Sequence, residues 1–213
     1  MKNLRAVEIV EILKQPSEED LLRMKDYFHQ TGKLPENHGY MIKRRLIREA
    51  TATELLKALH LSTTEHARQI IFDVLGKRRI KTASPILSNY LADPSSQIRS
   101  SVADALAKIG SLSSGPSLLK RFVEDEPDIE VLSMLAVALG ALKYQPAIPA
   151  LIKALSSSDL SLRGSTAWSL GELQAEEALS ILGDKLKSET ASYPSEQIQE
   201  AIHKIQTRKR PSD

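Results

Sequence analysis

Cysteine is absent from this 213-residue chain, which excludes disulfides, thiolate metal sites and a thiol nucleophile. Aromatic residues are scarce, at 4%. A chain poor in aromatics and glycine but rich in Leu, Ala and Ile suits helix-on-helix packing better than a sandwich or barrel. No stretch approaches the roughly 20 unbroken apolar residues of a membrane span. The opening segment, MKNLRAVEIVEILKQ, carries acidic residues inside its apolar stripe and does not read as a secretory leader. A soluble cytoplasmic protein in a reducing compartment is the expectation.

Charge of one sign is also lacking, since the net charge is only +2. Its distribution is uneven, however. Between residues 40 and 81 there are ten Lys/Arg against four Asp/Glu; between 82 and 200 there are nine against fifteen. A basic N-terminal third therefore joins an acidic remainder.

What the chain does contain is an internal repeat. The segments HARQIIFDVLGKRR, IRSSVADALAKIGS, VLSMLAVALGALKY and LRGSTAWSLGELQA align so that Gly76, Ala107, Gly140 and Gly171 close the first apolar stripe, 31 to 33 residues apart. A second ladder follows in SPILSNYL, PSLLKRFV, IPALIKAL and LSILGDKL. It is read as Leu87, Leu119, Leu151 and Leu182, with Leu91, Val123, Leu155 and Leu186 one turn later. Each unit is thus predicted to be two short helices. Pro85, Pro116 and Pro149 stand at the start of the second helix, where a missing amide donor costs nothing, and Ser and Asp in the turns between units suit N-capping. No single unit can bury its own apolar face, so neighbours must stack.

Copies such as DPSSQIRSSVADALAKIGS and LRGSTAWSLGELQAEEALSIL resemble the HEAT-like repeats of the phycobilisome-lyase type, whose form is close to DP-x-x-x-VR-x-x-A-x-x-ALG-x-LG. The resemblance implies an all-α fold, an α-α superhelix built as a right-handed stack of antiparallel helix pairs. Four repeats are expected over 61–91, 92–124, 125–156 and 157–187. An irregular helical cap over 1–60 precedes them, with helices over 18–30 and 39–49 around a loop at 32–37. A capping helix over 193–207 and a disordered tail over 208–213 follow. The arginine of the pattern is present as Arg68, Arg99 and Arg163 but is Leu132 in the third unit, and its second glycine survives only as Gly110.

Catalytic signatures do not emerge. His29, His38, His60, His66 and His203 are scattered without ligand spacing. GSLSSG, residues 110–115, lacks the Lys-Ser/Thr of a phosphate loop. No metal or cofactor is expected. Trp168 is read as core, and the acidic run Glu124-Asp125-Glu126-Pro127-Asp128 with Glu130 as a solvated, helix-capping turn.

In HEAT-type solenoids the second helices line the concave surface, the usual binding face. Two positions after the repeated leucine stand Asn89, Arg121, Lys153 and Asp184; one position after it stand Ser88, Lys120, Ile152 and Gly183. Asn89, Tyr90, Lys120, Arg121 and Lys153 are therefore the candidate partner-binding patch, with another protein as the expected partner. The leading function is a non-enzymatic protein-binding adaptor or scaffold. Two alternatives stand beside it. The repeat resemblance implies a bilin lyase or an accessory to one. Nucleic-acid binding would instead use Lys43, Arg44, Arg45 and Arg48 together with Lys77, Arg78, Arg79 and Lys81.

Overall fold

The computed structural model describes residues 5–14, 50–62, 64–124 and 126–207. The helices expected over 18–30 and 39–49, the loop at 32–37 and the tail at 208–213 lie outside the described residues. Contacts divide the chain into two compact units, Met1–Ala83 and Ser84–Asp213. No strand occurs among the described residues, and none of their helices is long and apolar enough to cross a membrane.

The first unit contains α1 (Ala6–Lys14), α2 (Ala52–Leu61) and α3 (Glu65–Lys77). Thr51 caps α2 by accepting from the Glu54 amide, and Thr64 caps α3 by accepting from that of Ala67. The apolar stripe of α3 is fully used: Ile70, Ile71, Phe72, Val74 and Leu75 are all buried. Helix α1 packs against α2, where its Ala6 amide donates to the Glu54 carboxylate at 2.6 Å.

The second unit is a two-layer stack. Its helices are α4 (Ser84–Asn89), α5 (Ser96–Ile109), α6 (Gly115–Val123), α7 (Ile129–Ala141), α8 (Ile148–Ala154), α9 (Leu160–Leu173), α10 (Leu179–Ser188) and α11 (Ser192–Thr207). The first helices of successive units form one row, with α5 on α7, α7 on α9 and α9 on α11. Each second helix packs on the first helix that follows it: α4 on α5, α6 on α7, α8 on α9 and α10 on α11. An all-α solenoid follows directly from this order.

The glycine ladder sets the spacing of the row. A Cβ on Gly140 would lie 2.7 Å from the Cα of Ser169, and one on Gly171 would lie 2.9 Å from the Cα of Ala201. Backbone meets backbone at these points, as only glycine permits. Ser169 uses the closeness, donating its hydroxyl to the carbonyls of Ala136 on α7 and Ser165 on its own helix. Helix α9 is enclosed on both sides, so even Ser165, Thr166 and Ser169 are buried.

Three residues beyond each ladder position the backbone turns left-handed, with φ of 51° at Arg79, 70° at Gly110, 54° at Lys143 and 52° at Gln174. The sequence shows this turn only at Gly110. The other three units adopt it with side chains for which it costs about 1–2 kcal/mol. A short 3₁₀ turn then opens each second helix and buries its last residue: Ala83, Ser114, Ala147 and Ala178.

Candidate functional site

The second-helix side of the Ser84–Asp213 unit carries the candidate partner-binding residues, and its register differs from the sequence expectation in one unit. Leu118 is fully buried and Leu119 only half-buried; Phe122 is buried, whereas Val123 is 57% exposed. The ladder in α6 therefore runs through Leu118 and Phe122, one residue earlier than Leu119 and Val123. The equivalent outward position is then Asn89, Lys120, Lys153 and Asp184, exposed in all four units. Arg121 falls at the position of Tyr90, and both are half-buried. The turn Tyr90–Ala92 packs against α6, which bears Lys120 and Arg121.

Arg121 is held in the structure by an ion pair. Its Nε donates to Glu126, a carboxylate with no exposed side-chain surface. The acidic run is accordingly more than a solvated turn. Asp128 does cap α7, accepting from the Glu130 and Val131 amides, but Glu126 turns inward. Arg99 on α5 donates to both oxygens of Glu126 at 2.8 and 2.5 Å, and to the Asp93 and Pro94 carbonyls at 2.9 Å. One guanidinium thus stitches the turn before α5 to the turn before α7.

The same device recurs two units later. Arg163 on α9 donates to the Ser157 and Ser158 carbonyls at 3.0 and 2.9 Å, and to both oxygens of Glu189 at 2.7 and 2.9 Å. Hydrogen bonds from Arg163 hold the Glu189 carboxyl down at about 2, against the opposing effect of burial. At Glu126 burial is the largest influence and pushes the carboxyl up. The bonds from Arg99, Arg121 and the Asp128 amide together outweigh it, leaving the group below its ordinary range.

A pH dependence follows. A depressed carboxyl stabilises the fold above its unfolded value, and that stability is lost as pH falls toward the folded value. For Glu189 the window runs from pH 4.5 down to about 2. Urea midpoints of the native chain should fall across it, and those of Glu189→Gln, weaker at neutral pH, should fall less. Parallel curves would contradict the clamp.

The second helices carry an excess of basic residues. Within α4, α6, α8 and α10 the basic residues are Lys120, Arg121, Lys153, Lys185 and Lys187, and the acidic one is Asp184. The first-helix row and α11 are mixed, carrying Asp104, Glu130, Glu172, Glu196 and Glu200 beside Arg99, Lys108, Arg163 and Lys204, and further carboxylates stand in the turns. Lys120 lies 3.8 Å from Glu124 in an exposed pair, and Lys187 lies 2.9 Å from Asp184; both pairs are worth little in water. Lys153 is exposed and lines an open groove of about 520 Å³ with Phe122, Val123, Leu132, Ala150, Ala154, Ser156, Ser157 and Leu162.

The candidate phosphate-binding residues fare differently. Lys43, Arg44, Arg45 and Arg48 lie outside the described residues. In the second cluster Lys77 pairs with Asp73 at 3.2 Å, and Arg78 donates to the Ala50 carbonyl at 2.5 Å. Arg79 holds the left-handed turn; Arg79 and Lys81 are exposed. Two of these four cations are thus engaged by the fold. No cluster of metal-ligating side chains occurs among the described residues. Trp168, read as core, is half-buried, and the Lys204 ammonium lies 5.9 Å from its ring centroid. Lys204 is itself anchored to Glu172 and Glu200, both at 2.8 Å.

Stacked helix pairs, a close-approach glycine ladder and arginine stitches between turns define an α-helical repeat protein. The model of the HEAT repeats family matches residues 52–130 and 115–203, and the chain belongs to that family. No curated protein sequence matches it. Among solved structures it is similar to an engineered protein (17% identity, TM-score 0.53, covering 95% of this chain and 96% of that one). A designed armadillo repeat protein is comparable, at 16% identity and TM-score 0.52, covering 93% and 98%. The complex of CpcE and CpcF of phycocyanin lyase from Nostoc sp. PCC7120 gives 17% identity and TM-score 0.46, covering 96% of both chains. At these identities the likeness concerns the fold.

Proposed function

We propose that the chain is a non-enzymatic protein-binding adaptor or scaffold that holds its partner on the second-helix face of the Ser84–Asp213 unit. One observation carries the reading. Equivalent exposed positions of successive units bear Asn89, Lys120, Lys153 and Asp184, and within the second helices basic residues outnumber the acidic one. Such a surface gives a partner both a repeated register and a sign of potential, which set orientation and encounter rate. A HEAT solenoid suits this work because its stacked units offer an extended surface without requiring any unit to move.

Lys120→Glu combined with Lys153→Glu tests the face without touching the arginine stitch. Both side chains are exposed, so helical circular dichroism should be unchanged. Capture of the protein partner from nuclease-treated lysate should drop by about tenfold or more. Unchanged capture would refute the face. Retention of nucleic acid alone, with a steep salt dependence, would favour the basic N-terminal third instead.

A further inference from the structure

The arginine stitch is missing at one junction of the row, and both of its members are replaced there. In the stitched turns each glutamate makes a second bond: Glu126 accepts from the Asp128 amide and Glu189 from the Ala191 amide, two residues on. In the turn before α9 the residue that accepts in this way is Ser157, from the Asp159 amide at 3.1 Å. The residue of α7 equivalent to Arg99 and Arg163 is Leu132. Leucine and serine thus stand where arginine and glutamate join the neighbouring turns, and leucine has no donor to give.

The same junction is open on both sides. Toward the second helices lies the groove of about 520 Å³, with Phe122, Val123 and Leu132 contributed from one side and Ala150, Ala154 and Leu162 from the other. A second groove of about 270 Å³ lies between α7 and α9, lined by Ile129, Ser133 and Val137 of α7 and by Asp159, Ser161 and Ser165. The Ser133 hydroxyl is buried beside it without a hydrogen-bond partner, a cost that opening toward water relieves.

Links between the two sides gather at the opposite end. There a Cβ on Gly140 would meet Ser169, the Ser169 hydroxyl donates to the Ala136 carbonyl at 2.8 Å, and the Gln145 side chain donates to the Leu173 carbonyl at 3.1 Å. The chain itself crosses from α7 to α8 at this end, through residues 142–147. Because each second helix packs on the first helix that follows it, the junction divides the unit into α4–α7 and α8–α11.

We infer that the Ser84–Asp213 unit hinges at the α7–α9 junction, pivoting about Gly140 and Ser169 while the two stitched halves move as rigid bodies. Close-packed interiors resist deformation, so movement collects where packing and stitch are both interrupted. Lys120 rides on one half and Lys153 on the other, so the spacing of the partner-binding face changes with the hinge. The inference rests on the protein-binding reading only for what the motion serves; the motion itself is a property of the free chain.

The chain has no cysteine, so pairs of nitroxide spin labels can be placed on it without background. Asn89→Cys with Lys120→Cys spans the stitched α5–α7 junction, and Lys153→Cys with Asp184→Cys spans the stitched α9–α11 junction. Lys120→Cys with Lys153→Cys spans the unstitched one. All four positions are exposed and equivalent, so label freedom is alike. The distance distribution of the middle pair, read by electron paramagnetic resonance, should be about twofold broader than those of the other two. Leu132→Arg with Ser157→Glu, which restores the stitch, should narrow it to match them. The reciprocal change, Arg163→Leu with Glu189→Ser, should broaden the last pair about twofold, and it carries the test if the first variant does not fold.

Three equal widths, narrow or broad, would overturn the inference. So would a middle pair left broad in a folded Leu132→Arg, Ser157→Glu chain, or a last pair unmoved by the reciprocal change. Equal widths with partner capture still lost in Lys120→Glu with Lys153→Glu would remove the hinge and leave the face. A broad middle pair with capture unchanged in that variant would remove the face and leave the hinge.

Discussion

Glu126→Gln is expected to lower the stability of the chain by about 3–5 kcal/mol, because it leaves a buried guanidinium without its counter-charge. The Arg99 side chain is 6% exposed and that of Glu126 is 0% exposed. Glutamine preserves shape and some hydrogen bonding but not the charge that repays desolvation of Arg99. Arg121, which shares the carboxylate, loses its partner as well. Replacing Arg99 and Glu126 together by apolar residues of similar size should cost less, since no fully buried charge is then left unpaired and only the part-exposed Arg121 loses its partner. Urea unfolding followed by circular dichroism measures both. A loss below about 1 kcal/mol for Glu126→Gln would mean that the pair is solvated in practice.

The second large effect is at the glycine ladder, where two terms oppose. Alanine is the better helix former by about 1 kcal/mol. At Gly140, however, the new Cβ would sit 2.7 Å from the Ser169 Cα, an atom that cannot rotate away. Forcing α7 and α9 apart also stretches the bond from the Ser169 hydroxyl to the Ala136 carbonyl. Overpacking of this kind costs about 1–3 kcal/mol and exceeds the propensity gain. Gly140→Ala should therefore destabilise, and Gly140→Val more so. Gly183 is the internal control. It lies within α10 with nothing within 4 Å of a built Cβ, so Gly183→Ala should stabilise by about 0.5–1 kcal/mol. Thermal midpoints of the two alanine variants should move in opposite directions. Movement in the same direction would show that helix propensity, and not the close approach, governs Gly140.

Much of this was legible in the residues, for identifiable reasons. The glycine ladder is visible because close approach tolerates only one or two residue types, so the constraint imprints itself on the sequence. The helix pairs are visible because apolar spacing and Pro85, Pro116 and Pro149 punctuate them. The register of α6 was misread because Leu118-Leu119 offers two leucines where the other units offer one. Pro116 held the correction: Leu87, Leu118 and Leu151 each stand two residues after their proline. Three of the four left-handed turns left no trace, because Arg79, Lys143 and Gln174 meet the backbone cost without glycine. The role of Glu126 was hidden among neighbouring carboxylates. Its separation from Arg99 is 27 residues, and that of Glu189 from Arg163 is 26; an arginine with a glutamate about one repeat later is the signal that finds the stitch. Leu132 stands out in the sequence only as a departure from the arginine of the repeat. What the departure opens became apparent only once the groove had walls.

Site-specific photo-crosslinking tests the central claim most directly. A photoreactive amino acid placed at Lys120 or Lys153 samples the second-helix face; one placed at Glu130 or Ser133 on α7 samples the other layer. With nuclease-treated lysate and helical content unchanged, the account predicts the same discrete polypeptide adduct from both second-helix positions and none from α7. A polypeptide adduct from the α7 positions alone would contradict it.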